Sequence, residues 1–194
     1  RAEAMEKCAE KNKGSMVAVM KLPAEKIEEI CREIDGYVVP VNYNSPAQTV
    51  IAGEQSAVSK AVEALSGAGA RCIPLKVASA FHSELMREAS EEFYSKIKDV
   101  KFNAPSVKFY SNVLGTELKD FSDMPSLLAK HIVSPVKFTS EMAEMSKDGF
   151  DTFIELGPNK VLTGLVKKTL KEATALNIEN NATLEKALEE LKKA

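Results

Sequence analysis

Apolar positions alternate between strand-like and helical spacing over the first part of the chain. Amphipathic stripes typical of helices cover residues 1–13 and follow Pro23, and another precedes Gly67. Four segments that alternate or are rich in β-branched residues predict strands: 15–22, 37–44, 48–52 and 71–77. The resulting order β-α-β-β-α-β is that of a ferredoxin-like split βαβ unit.

Beyond residue 78 the pattern changes to single strands that alternate with helices. The apolar spacing predicts five helices: 86–97, 127–132, 138–145, 161–166 and 184–191. Between them we predict strands: 106–113, 151–156 and 174–178. This alternation indicates a parallel sheet of three or four strands, counting the one before His82. So small a sheet should expose apolar edges, so we expect its missing strands to lie N-terminal to Arg1.

Composition narrows the class of protein. With 44% hydrophobic and 28% charged residues among 194, the chain is typical of a globular protein. A net charge of -2 gives no electrostatic footprint for nucleic acid or an anionic membrane, and no apolar run approaches the ~20 residues that span a bilayer. Three widely spaced cysteines indicate reduced thiols and a cytoplasmic location. Two distant histidines without a cysteine pair argue against a metal site.

The stretch around His82 is the first candidate for chemistry. An apolar run over 73–80 stops just before this histidine, and a helical pattern begins directly after it. An imidazole at the mouth of an α/β sheet can act as a general base. It can equally be a histidine that is hydrogen-bonded in a strand-to-helix turn. The residues alone leave both interpretations open.

Five blocks of sequence, in order along the chain, resemble those of a known enzyme family. They are 1–5, 42–53, 79–86, 134–136 and 155–162. Together they identify the chain as similar to the C-terminal three-fifths of the bacterial malonyl-CoA:acyl carrier protein transacylases. An acyltransferase domain of a polyketide synthase is a related alternative, but the chain ends soon after Leu191 without linker composition, which favours the free-standing enzyme.

The resemblance implies a ping-pong acyl transfer. A serine in a Gly-x-Ser-x-Gly elbow takes the malonyl group from malonyl-CoA and passes it to the phosphopantetheine thiol of acyl carrier protein, with no other cofactor. His82 matches the catalytic base, and the backbone carbonyl that orients it belongs here to His131, where the family commonly has Gln. Arg1 matches the arginine that pairs with the malonyl carboxylate. Phe81 matches a bulky neighbour that would crowd an α-methyl branch.

Three further residues, Asn42, Asn44 and Ser45, match a turn that could contact CoA, although turn formation explains them equally well. The resemblance also implies the fold: an α/β protein with a ferredoxin-like βαββαβ subdomain inserted in an α/β-hydrolase-like parallel-sheet domain that is only partly present. On this interpretation the chain has three parts: a helix of the large subdomain at 1–13, the small subdomain at 14–77, and the remainder of the large subdomain at 78–194.

The sequence contains no Gly-x-Ser-x-Gly. We therefore expect the serine nucleophile in a segment upstream of Arg1, as part of the same protein or as a companion chain. Ser79 and Ser83 flank His82, but neither has the pattern of a strand-to-helix elbow with amide donors. The alternative from another class is a non-catalytic ferredoxin-like module that binds a ligand or partner, which would leave the His82 block as a coincidence.

Overall fold

Four strands form one antiparallel sheet in the computed structural model, which describes residues 1–192: β1 Ser15–Met20, β2 Val38–Ser45, β3 Gln48–Gly53 and β4 Arg71–Pro74. Their order across the sheet is β2-β3-β1-β4, and every neighbouring pair is antiparallel. Four consecutive apolar residues are buried within β1, so both of its faces are covered. At its two edges β1 pairs with β3 and with β4, which makes it an inner strand.

Two helices cover one face of this sheet, α2 Ala24–Glu33 and α3 Gln55–Gly67. Val17 and Val19 point toward these helices and belong to the first apolar cluster of the structure. Met16 and Ala18 point to the opposite face and belong to a second apolar cluster, which includes Ala80. The period of two in a strand produces this division. Gly53 ends β3 where a Cβ would lie 2.0 Å from the carbonyl oxygen of Tyr37, so only glycine fits there.

A third apolar cluster joins helices α1 Ala2–Lys11, α4 Arg87–Ile97 and α5 Met124–Val133. Its buried members come from all three helices and from a 3-10 turn at Glu84–Met86 that leads into α4: Ala4, Cys8, Met86, Ala89 and Ile132. Small residues on α1 and α4 allow these two helices to approach closely. Phe81, the residue before His82, packs against this cluster, so the cluster supports the segment that carries His82.

The predicted strand at 71–77 is too long. β4 ends at Pro74, whose partner on β1 is Val17, and the Leu75 amide still donates to the Met16 carbonyl at 2.9 Å. Met16 is the second residue of β1, so little of that strand remains for residues after Leu75 to pair with. The chain therefore continues as a loop to His82. β4 pairs only with β1 among the described residues, so the strand before His82 does not join a parallel sheet.

The predicted strand at 106–113 is also largely wrong. Only β5 Tyr110–Ser111 is extended and paired, and it forms a short antiparallel hairpin with β6 Thr116–Glu117. Gly115, at φ 75°, closes the turn, and its amide donates to the Ser111 carbonyl at 2.7 Å. Val107 is 74% exposed because no described strand pairs with residues 106–109.

The chain divides into two compact units, 1–141 and 142–194, with helix α6 Phe138–Lys147 running across the division. The second unit has a parallel pair of strands and two helices: β7 Thr152–Leu156, α7 Val161–Thr169, β8 Thr174–Ile178 and α8 Asn181–Leu191. Over residues 1–192 the parallel sheet has two strands, fewer than predicted. Leu156 at 76% and Val161 at 65% exposure remain open to solvent.

Candidate active site

The backbone at His82 adopts a left-handed conformation, with φ 61°. A non-glycine residue in this region is strained by about 1–3 kcal/mol unless its surroundings hold it. Two buried serines hold it here. The Ser79 hydroxyl donates to the Asn12 carbonyl at 2.9 Å, and the Ser83 hydroxyl donates to the Ala80 carbonyl at 2.5 Å. The imidazole is thus presented from a rigid loop.

The ring of His82 is oriented by main chain. Its Nδ1 lies 3.1 Å from the backbone oxygen of His131, in the last turn of α5. A carbonyl can only accept a hydrogen bond, so Nδ1 carries the proton and the lone pair of Nε2 is left available as a base.

Pro135 explains why this carbonyl is free. In a helix the oxygen of His131 would accept from the amide four residues later, and that residue is a proline with no N–H. Helix α5 ends at Val133, and Ser134 is already extended, as expected before proline. The unused carbonyl of His131 therefore accepts its hydrogen bond from a histidine of another segment.

Burial lowers the pKa of His82 below 6.5, and the positive charge of Arg1 lowers it further. Hydrogen bonds that the ring donates to the backbone of His131 and Ser134 act in the opposite direction and stabilise the charged ring. The net result is a histidine that is neutral at pH 7 and can accept a proton, while two backbone groups stabilise the imidazolium that results. These are the properties of a general base.

The side chain of His131 has different properties. Its ring centroid lies 5.4 Å from that of His82. Burial, the nearby His82 and Arg1 lower its pKa to about 4, so it is neutral at pH 7. Its Nε2 is buried and has no hydrogen-bond partner among residues 1–192. A ring with this pKa and a covered nitrogen is poorly suited to acid or base catalysis near neutrality.

Arg1 and Phe81 line one shallow depression of about 820 Å³ along α1. Arg1 occupies the N-cap position of α1 and is exposed. Phe81 is half-buried and packs against both the second and the third apolar clusters, which fixes it next to His82. The structure thus brings Arg1, Phe81, His82 and His131 into one region.

The other three predicted residues are less directly connected to His82. Asn42 and Asn44 are half-buried on β2, and Ser45 is buried at the end of that strand. Over the described residues none of them shares a hydrogen bond with His82, and the Ser45 hydroxyl has no hydrogen-bond partner. Their strand pairs with the segment after α5, because Asn42 forms a parallel bridge with Val136. Their link to the histidine pair is therefore through the backbone.

In the second unit, block 155–162 forms a strand-to-helix turn. The carboxylate of Glu155 accepts from the amides of Leu162 and Thr163, at 3.0 and 2.8 Å, and so caps helix α7. Glu179 accepts from the Asn159 amide at 2.6 Å, where the chain has φ 69°. These contacts give the block a structural role within this unit.

Other kinds of site find little support. Ser79 is 0% and Ser83 is 1% exposed, so neither hydroxyl can reach a substrate. Within residues 1–192, no three His, Cys, Asp or Glu side chains are grouped so that they could hold a metal ion. No helix in that range is long and apolar enough to span a membrane.

Pro135 and Ser134 lie in block 134–136 of the resemblance, but neither was assigned a part in orienting His82 from the sequence. A proline four residues after a helical position always frees the carbonyl at that position. That spacing between His131 and Pro135 was available in the sequence. The contact made by Ser134 had no comparable signal, since it depends on the fold of the whole segment.

Comparisons with known proteins place this sequence and fold in one class. The family model for the acyl transferase domain matches residues 1–192. The chain therefore belongs to the acyl transferase domain family. Within that family it is similar to malonyl CoA-acyl carrier protein transacylases, and is 33% identical to that of Bacillus subtilis over 99% of the chain. It spans 62% of the length of this relative.

Solved structures agree with this assignment. The malonyl CoA-acyl carrier protein transacylase of Clostridium perfringens superposes with a TM-score of 0.93 at 35% identity, covering 98% of this chain and 62% of that one. A malonyl-transacylase in complex with its type II polyketide acyl carrier protein superposes with a TM-score of 0.90 at 31% identity, covering 97% of this chain and 63% of that one.

Proposed function

We propose that this chain is part of an enzyme that transfers malonyl groups from malonyl-CoA to the phosphopantetheine thiol of acyl carrier protein. The hydrogen bond between His82 Nδ1 and the His131 carbonyl carries the proposal, because it leaves Nε2 as a proton acceptor. Family membership supports the reaction class. The named activities of the relatives support malonyl as the acyl group and acyl carrier protein as the acceptor.

The mechanism is ping-pong, with a serine nucleophile supplied by a segment upstream of Arg1. His82 Nε2 removes the hydroxyl proton as the serine attacks the thioester carbonyl, and the same proton passes to the sulfur of CoA as it leaves. In the second half, Nε2 takes the proton of the carrier-protein thiol, which attacks the malonyl ester. The proton then returns to the serine oxygen, and the enzyme is restored.

Arg1 and Phe81 set the preference for the acyl group. The Arg1 guanidinium pairs with the free carboxylate of the malonyl group, which a plain acyl chain lacks. Phe81 is fixed by two apolar clusters, so it cannot withdraw to accommodate an α-methyl branch. Asn42, Asn44 and Ser45 contact the CoA or pantetheine portion of the substrate in the same proposal.

The proposal includes the domain organisation. Residues 14–77 form a ferredoxin-like subdomain, which the observed strand order β2-β3-β1-β4 supports. Residues 1–13 and 78–194 belong to an α/β-hydrolase-like domain whose parallel sheet is completed by upstream strands. The exposed Leu156 on β7 and Val107 before β5 support this completion, since a complete parallel sheet is covered on both faces and rarely leaves such apolar residues open. A cytoplasmic location belongs to the same proposal.

Intact mass spectrometry after brief incubation with malonyl-CoA tests the function. The sample is the polypeptide extended upstream to include a Gly-x-Ser-x-Gly segment, and the 194-residue chain is run beside it. We expect a species heavier by one malonyl group in the extended protein only, and transfer of that group to holo acyl carrier protein.

A His82→Ala variant of the extended protein is the control, and it should acylate at least ~100-fold more slowly. A His131→Gln variant keeps the carbonyl and should retain activity. If the extended, folded protein forms no adduct, the transferase proposal fails. The alternative, a non-catalytic module that binds a ligand or partner, would then explain the ferredoxin-like topology better.

A further inference from the structure

Glu141 is a buried carboxyl group that the proposed mechanism does not use. It is 7% exposed in the first turn of α6. Burial raises its pKa, and a hydrogen bond from the side-chain amide of Asn112 partly offsets that rise. A buried carboxyl group is costly to retain unless it is hydrogen-bonded, so this contact has a structural consequence.

Asn112 attaches the β5–β6 hairpin to the start of α6 at two points. Its side chain donates to Glu141, and its backbone carbonyl accepts from the Lys137 amide at 2.9 Å. The turn of the hairpin also packs tightly there, because a Cβ on Gly115 would lie 2.9 Å from the Cβ of Ser140. The hairpin therefore acts as a support for the first turn of α6.

The segment 134–137 lies between this support and β2. The Val136 amide donates to the Val41 carbonyl at 2.8 Å, and its carbonyl accepts from the Tyr43 amide at 2.9 Å. The same short segment follows directly on the last turn of α5. It is thus held by β2 on one side and by Asn112 on the other, and the two backbone groups that contact His82 lie within or just before it.

We propose that Asn112 and Glu141 are positioning residues for His82. They act through the backbone of 134–137, which places the carbonyl of His131 and the backbone of Ser134 against the imidazole. Loss of the Asn112–Glu141 hydrogen bond lets this segment move away from His82, and Nδ1 loses its acceptor. The inference rests on the proposed catalytic role of His82, but it concerns ring orientation and can be tested without acyl transfer.

Nitrogen-detected NMR of the imidazole rings in the 194-residue chain provides the test. The chain has two histidines, so the signals that remain in a His131→Gln variant belong to His82 and those that disappear belong to His131. In the parent protein at pH 8 we expect His82 to be mainly the Nδ1–H tautomer, because the acceptor at Nδ1 selects it. Three near-isosteric variants then probe the Asn112–Glu141 pair, and a fourth variant is the control.

Glu141→Gln keeps an acceptor for the Asn112 amide and should leave the tautomer unchanged. Asn112→Asp places two carboxyl groups against each other, and we expect the Nε2–H fraction of His82 to rise about threefold or more. The double variant Asn112→Asp/Glu141→Gln reverses donor and acceptor and should restore the parent tautomer. Glu144→Gln, which alters an exposed ion pair with Lys147 on the same helix, is the matched control and should change nothing.

An unchanged tautomer in Asn112→Asp overturns the proposal. Failure of the double variant to restore the Nδ1–H form also overturns it, because the hydrogen bond would then not be the cause. If Asn112→Asp does not fold, Asn112→Ser takes its place, because its shorter side chain cannot reach Glu141; it should show the same rise in the Nε2–H fraction, and an unchanged tautomer there overturns the proposal. None of these results depends on malonyl transfer, so they are distinct from a failure of the proposed function.

Discussion

The antiparallel sheet and the parallel pair of strands use similar apolar sequences but differ in how well they are covered. In the four-stranded sheet, Ile51 on β3 is 0% exposed beneath helices α2 and α3. In the two-stranded sheet, Leu156 on β7 is 76% exposed and Ile154 is 40% exposed. An apolar strand sequence therefore specifies extended structure in both places, while burial depends on the neighbours that each sheet has.

The largest expected effect tests this difference directly. Ile51→Ala should lower the free energy of unfolding by about 2–5 kcal/mol, because it leaves a cavity in a fully buried site. Leu156→Ala should change it by less than about 0.5 kcal/mol in the same chain. Urea unfolding followed by circular dichroism measures both. Equal effects would mean that the two sheets are covered alike.

The cost of Leu156→Ala should depend on the length of the chain. If upstream strands complete the parallel sheet, Leu156→Ala should cost about 1–3 kcal/mol in the extended protein and far less in the 194-residue chain. The same urea titration on both lengths gives the answer. A cost that stays near zero in the extended protein would contradict the proposed sheet completion.

The two units should also differ in pH dependence, because residues 142–194 contain no histidine. Folding lowers the pKa of His131 from 6.5 to about 4, so between these values the unfolded chain binds a proton that the folded chain does not. The free energy of unfolding is therefore unaffected by this group above pH 6.5 and falls as the pH is lowered toward 4. Since the ring is only half-buried, solvent screening reduces the expected loss to about 1 kcal/mol.

His131→Gln should flatten that part of the stability curve. The remaining slope should include a part of the same sign from His82, whose pKa is also lowered, and a part of opposite sign from Glu141, whose pKa is raised. Unfolding temperatures between pH 7 and pH 4.5 check this. An identical slope in the variant would show that the His131 ring is not buried as described.

The smallest expected effect is in the second unit. Burial raises the pKa of Glu155, but hydrogen bonds from Thr163 and the first amides of α7 outweigh it, and the net pKa is lowered. Glu155→Gln keeps an acceptor but removes the charge at the helix N-terminus, which should cost about 0.5 kcal/mol. Thermal unfolding at pH 7 measures it, with Glu144→Gln for comparison. The difference should shrink as the pH falls below 4.5, because the carboxylate is then protonated first in the unfolded chain and, at lower pH, in the folded chain as well.

Much of the fold could be predicted from local pattern. Strands and helices lie within a few residues of the predicted bounds wherever partners cover them, as for β1 and α2. The failures occur where the pattern needs a partner: residues 106–109 have an apolar alternation but no described strand beside them. Spacing predicts which face of a strand is apolar, and it says nothing of what covers that face.

The site was predicted in a different way. Local pattern singled out His82 as a candidate, but its catalytic role and the His131 carbonyl came from the resemblance to a family, because residues 49 apart in sequence share no local pattern. The strained backbone at His82 and the support from Asn112 and Glu141 depend on contacts between distant segments. Glu141 itself resembles any polar helix residue in the sequence, and only its burial distinguishes it.

Pro135 has a consequence for how variants of this protein should be interpreted. If His82 is the base proposed above, a scan of residue 131 would report a tolerant position beside a sensitive histidine, because the group that receives the hydrogen bond from His82 belongs to the peptide chain. A scan of residue 135 would report the reverse, since every other amino acid would restore an amide that competes for the same oxygen. Genetic sensitivity would thus map to a residue with no reactive atom, four positions away from the oxygen that it leaves free.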